Sequence, residues 1–103
     1  MSEDSQLLIP LSFTALFVPA GRLRPTEPAT VIAQRYELCE DFAQMLVEPA
    51  RARYLTMGLT EADVLERTAQ GLSTSDVFSA AEAQWVLRRL AELLGWDIGW
   101  AVG

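Results

Sequence analysis

The sequence contains no histidine, no lysine and no asparagine, and its only cysteine is Cys39. Each absence closes a route. Without histidine there is no Ser-His-Asp or Cys-His nucleophile and no imidazole to hold a metal. Without lysine there is no phosphate-loop lysine and no Schiff-base chemistry. Without asparagine there is no acceptor for N-glycosylation. A lone cysteine forms no intrachain disulfide, which points to a reducing compartment. Cys39 falls on an apolar helix face and is followed by Glu40 and Asp41, which oppose a thiolate, so it reads as an inert core thiol.

Positive charge is scarce as well: eight arginines stand against fourteen acids, a net charge of −6. That sign disfavours general binding to a phosphate backbone and to anionic membrane surfaces. No apolar run is long enough to span a bilayer; the most hydrophobic, residues 7–18, is interrupted by Pro10, Ser12 and Thr14. Glu3 and Asp4 precede it where a secretory leader would be basic, so a cytoplasmic location is expected. Half of the 103 residues are hydrophobic, enough for one folded domain with one core.

What is present is helical punctuation. Residues 29–58 form the longest helix-compatible run, with Ile32, Tyr36, Cys39, Phe42 and Leu46 returning to one face. Pro49 lies inside it, so the run either kinks there or divides near Val47 into two helices. The second part would close at Gly58, with Tyr54 and Leu55 on its buried side. Thr60 is a natural N-cap for the next helix, with Val64, Leu65 and Thr68 inward and Gly71 as its end. Ser79-Ala80-Ala81-Glu82 spells a capping box, with Val77 or Phe78 as its staple. The helix that follows buries Trp85, Val86, Leu87, Leu90, Leu93 and Leu94, and Gly95 stops it.

Ahead of these, residues 1–6 form a loose end. Pro10 suits the first turn of a short helix to Val18, with Leu11, Ala15 and Val18 sharing a face; a strand competes, because Phe13, Ala15 and Phe17 also alternate. Residues 19–28, PAGRLRPTEP, read as a proline-rich linker. In the tail, residues 96–103, Trp96, Ile98, Trp100 and Val102 alternate as a strand or an irregular flap would. The expectation is one all-α domain over residues 1–103, with four or five helices and extended N- and C-terminal segments.

The strings IPLSFTALFVPAGRLRPTEP, RYELCEDFAQML, LTEADVLERTAQGL and EAQWVLRRLAELLGW together resemble a family of small beta-proteobacterial proteins. Some members carry the label "ATPase with chaperone activity". The resemblance covers roughly residues 9–96 and brings no established activity, so it implies no catalytic residue. The label asks for a glycine-rich phosphate loop ending in Lys-Ser/Thr and an α/β sheet. This chain has neither the loop nor a lysine, so no ATP binding and no cofactor is expected. The label would then fit only through a partner that is itself such an ATPase.

Two groups of residues remain as candidate sites. Glu37, Glu40 and Asp41 lie within a helical turn of one another and could offer carboxylate oxygens to a hard cation. A complete site needs more ligands from another helix, with Glu61, Asp63 or Glu66 available; a solvated acidic face is the simpler reading. Phe13, Phe17, Trp96 and Trp100 are the aromatics least tied to the helical pattern and could face a partner. The functional expectation is a non-enzymatic protein–protein interaction module or small adaptor, self-associating or bound to another protein. The alternative is a small carboxylate- or metal-dependent enzyme on the acidic face.

Overall fold

The structure, a computed structural model, describes residues 8–96. It contains four α-helices, with no strand among the described residues: α1 (Leu11–Thr14), α2 (Ala29–Met57), α3 (Glu61–Ser73) and α4 (Ala80–Leu94). None of the described helices is long and apolar enough to cross a membrane. By internal contacts the chain divides into two units, Met1–Leu38 and Cys39–Gly103, and α2 contributes residues to both.

In the first unit the chain turns at Pro10, whose carbonyl accepts from the N–H groups of Phe13 and Thr14 at 3.0 and 3.1 Å. After one α turn the coil tightens into a 3₁₀ turn, Ala15–Phe17. The helix expected to reach Val18 is therefore shorter, and its buried side differs. Leu11 is exposed, whereas Phe13 has no exposed surface. Phe13 is on the covered side because its ring has neighbours there. Beyond Thr14 the 3₁₀ turn advances side chains by a third of a revolution rather than 100°, so Ala15 and Val18 do not keep the α-period facing with Leu11. The Phe13 ring meets Phe17 at 5.6 Å and Tyr36 edge-on at 5.5 Å between centroids.

The proline-rich stretch that follows is a pinned loop. Thr26 donates both its backbone N–H (2.8 Å) and its hydroxyl (3.2 Å) to the Phe17 carbonyl, closing the neck. Within the loop Arg22 N–H donates to the Pro19 carbonyl at 3.0 Å, with Gly21 at φ +78°, the arrangement of a type II turn. Residues 19–30 are exposed throughout.

Helix α2 runs unbroken for 29 residues, with Pro49 inside it. Of the two sequence-based expectations there, division near Val47 is not what occurs. A proline removes one N–H, so the Met45 carbonyl loses its helical donor, and a helix this long tolerates one missing bond. Cys39, Ala43 and Ala50 are the buried residues of its second part, a narrow stripe of small side chains. Phe42 is half-buried with its ring edge-on to Phe78, 5.1 Å between centroids. Beyond Pro49 only Ala50 is buried: residues 51–58 are exposed, which corrects the expected burial of Tyr54 and Leu55.

Helix α3 starts where Thr60 caps it, its hydroxyl accepting from Asp63 N–H at 3.0 Å, and Glu61 and Asp63 favour the positive end of the dipole. It ends at Ser73, two residues past Gly71, which stays helical. Helix α4 begins with the complete capping box: Glu82 N–H donates to Ser79 Oγ at 3.0 Å, and Ser79 N–H donates to Glu82 Oε1 at 2.9 Å. Phe78, not Val77, occupies the buried position before the cap. Gly95 closes α4 at φ +76°, a conformation that favours glycine.

Helices α3 and α4 pack together, and Val64, Leu65, Val86 and Leu90 are the fully buried side chains of that layer. Each contributes about 1.5–3 kcal/mol through burial. Thr68, buried beside them, donates its hydroxyl to the Val64 carbonyl at 2.9 Å, so its polar atom carries no desolvation debt.

Candidate functional site

The acidic face resolves into three separate carboxylates. Glu37 and Asp41 are exposed. Glu40 is half-buried and faces Arg89 of α4, which donates from Nε to Oε1 at 2.8 Å and from Nη2 to Oε2 at 3.0 Å. Gln44 Nε2 donates to the same Oε2 at 2.8 Å, and Arg89 Nη1 reaches Glu92 at 3.1 Å. The parallel two-point geometry is the strong form of an Arg–carboxylate pair. The Arg89 hydrogen bonds hold the Glu40 carboxyl below the usual carboxylate range, against the upward push of burial, and the pairing raises Arg89 in turn.

A general acid must keep its proton near neutral pH, and a metal ligand must have a free lone pair aimed at the ion. Glu40 is poorly suited to either role, since its charge is held ionised and three of its roughly four acceptor sites are already taken by Arg89 and Gln44. Among the described residues no group of three acidic or thiol side chains converges to hold a metal, so the structure does not bring Glu37, Glu40 and Asp41 together as ligands. Glu61, Asp63 and Glu66 do not complete such a group either. Cys39 is buried and in no disulfide.

The aromatic candidates part company. Phe13 and Phe17 meet in the N-terminal unit, where Phe13 is buried and Phe17 half-buried; the exposed apolar side chains of that segment are Leu8 and Leu11. Phe13 is thereby removed from any surface role. Trp96 is half-buried and tilts against Tyr54, 5.2 Å between ring centroids. Trp100 lies outside the described residues.

Sequence reasoning missed the ground beside that Tyr54–Trp96 pair. Where α2 ends and α3 begins, the surface forms a wide-open hollow of about 670 Å³. Tyr54, Leu55, Leu59 and Ala62 give it an apolar lining, and Gly58 turns the chain at φ +65°. Thr60 and Glu61 are its polar residues, and Glu61 is the one charged residue among those that line it. Leu55 is 70 % exposed, and Met57 is exposed nearby. Two signals in the sequence mark this corner: Gly58 as a helix stop, and Thr60 as a helix start two residues later. Only Gly58, Leu59 and Thr60 connect the two helices. A second, smaller but more enclosed hollow of about 310 Å³ lies between α3 and the start of α4, with Leu72, Phe78 and Leu87 in its wall.

Comparison with protein-family models, with curated proteins and with solved structures gives no match to this chain.

Proposed function

We propose that this chain is a non-enzymatic protein-interaction module whose contact surface is the hollow at the α2–α3 corner. The observation that carries the reading is Leu55, 70 % exposed on the wall of an apolar concavity. An isolated exposed leucine is ordinary; apolar side chains gathered around a hollow, at the edge of a helix whose last turns bury nothing, mark a contact site. The corner is firm. Thr60 caps α3 from one side, and the tilted Tyr54–Trp96 ring contact holds the end of α2 from the other. A partner side chain therefore enters a formed surface and does not have to order it. Protein is the partner class that suits this lining, four apolar side chains with one carboxylate, because a nucleic acid would require cations.

Site-specific photocrosslinking tests the reading. A photoreactive residue at Leu55 is compared with the same residue at Val77, which is also apolar and exposed but does not line the hollow. The expected result is one discrete crosslinked peptide from position 55 and none from position 77. Equal labelling from both positions, or none from either, overturns the assignment.

A further inference from the structure

We infer that the occupant of this hollow is the loop tip Arg22-Leu23-Arg24 of a second copy of the chain. The inference rests on the hollow being a docking surface, as proposed above, and adds its ligand. Leu23 is 97 % exposed. It sits between two arginines in a chain that is otherwise acidic, and among the described residues neither Arg22 nor Arg24 is paired with a carboxylate. The loop is also held in shape. The double hydrogen bond from Thr26 closes its neck, the Gly21 turn sets its crest, and Pro19, Pro25 and Pro28 limit the backbone. Such fixing buries nothing in its own unit, since residues 19–30 are exposed throughout. A loop ordered in advance gives up little freedom on docking, which is the feature of a ligand segment.

The hollow offers the complement. Tyr54, Leu55, Leu59 and Ala62 receive an aliphatic side chain, and Glu61 on the rim faces a flanking guanidinium. Net charge sets the limit on this pairing. Two copies at −6 each repel, so the contact forms through local opposite charge and is weak. One loop in one hollow falls below the ~1,000 Å² of a stable interface, which places association in the micromolar-to-millimolar range. Reciprocal exchange of loops closes a dimer, and one-way docking builds longer chains.

The test is the solution mass of the purified full chain by light scattering, from micromolar to millimolar concentration. The expected mass rises with concentration from the 11.4 kDa of one copy. It stays at one copy in Leu23→Ala, in the Arg22→Glu/Arg24→Glu double variant and in Glu61→Arg, each first matched to the unaltered chain by circular dichroism. Mixing the Arg22→Glu/Arg24→Glu chain with the Glu61→Arg chain restores the heavier species, because the altered loop now meets an arginine. If Glu61→Arg fails to fold, the Leu23→Ala variant, altered in an exposed loop, decides alone. A mass fixed at one copy throughout overturns the self-docking inference, as does a rising mass that the loop variants leave unchanged. The Leu55 crosslinks still decide separately whether the hollow is a contact surface for another protein.

Discussion

The Glu40–Arg89 pair joins α2 to α4 across 49 residues of sequence, and its removal measures how much one clasp contributes to the second unit. The perturbation is a cycle of Glu40→Gln, Arg89→Met and the double variant. The side chains are 17 % and 33 % exposed, between the surface regime, where a pair contributes ~0–1 kcal/mol, and the buried regime, where losing one partner costs ~3–5 kcal/mol. Two parallel charge-assisted hydrogen bonds place the single-variant cost at about 2 kcal/mol, with a coupling of about 1–2 kcal/mol. The Arg89–Glu92 contact is lost equally in both backgrounds and cancels from the coupling. Glu40 then supplies a pH signature. Its carboxyl is depressed in the folded state, so its contribution is complete above the unfolded carboxylate value of about 4.3 and fades as pH falls through the lower folded value. Urea titrations of the four proteins at neutral pH and at pH 3 read both quantities. Equal stability of Glu40→Gln and the unaltered chain at neutral pH, or a difference that fails to shrink in acid, refutes the reasoning.

Two further predictions follow from backbone features. Ser79→Ala removes the hydroxyl half of the α4 capping box and lowers stability by about 1 kcal/mol, read as a drop of roughly 4–8 °C in the thermal midpoint; an unchanged midpoint would show that the Glu82 half suffices. Pro49→Ala restores the donor to the Met45 carbonyl in an exposed part of α2. Alanine is favoured over proline by ~3 kcal/mol inside a helix, offset by ~0.4–1 kcal/mol of added freedom in the unfolded chain. The net gain is about 2 kcal/mol, and a midpoint that falls in the Pro49→Ala variant contradicts it.

The parts of the fold legible in the sequence are those whose physics is local. A cap needs its partners within three residues, so Thr60 with Asp63 and Ser79 with Glu82 are written out in the chain itself. Helix stops at Gly58 and Gly95 are equally local, because a positive φ requires nothing beyond its own residue. Gly71 shows the limit of the rule: glycine permits a helix to end and does not oblige it, and α3 continues to Ser73. The all-α class follows from the same signals, together with the broad apolar face of α4, where Trp85, Val86, Leu87 and Leu90 are buried.

What the sequence could not disclose depends on a neighbour. Periodicity shows that a helix has an apolar face, but only a packed partner decides whether that face is covered. The sequence pattern assigns Tyr54 and Leu55 to a buried side, yet Cys39 is buried and they are exposed, because beyond Ala50 the Trp96 ring covers only part of Tyr54 and leaves Leu55 open. Glu40 reads as one of three equivalent acids until Arg89 arrives from α4; no spacing within 37–41 distinguishes it from Glu37 or Asp41. The proline-rich stretch reads as a linker because its constraint, two hydrogen bonds to the Phe17 carbonyl, comes from nine residues away. Two of these places, the end of α2 and the proline-rich loop, are the ones on which the proposed contact rests. An uncovered apolar corner and a fixed, exposed loop are both departures from what folding alone rewards, and a departure of that kind is where a contact with another molecule is to be sought.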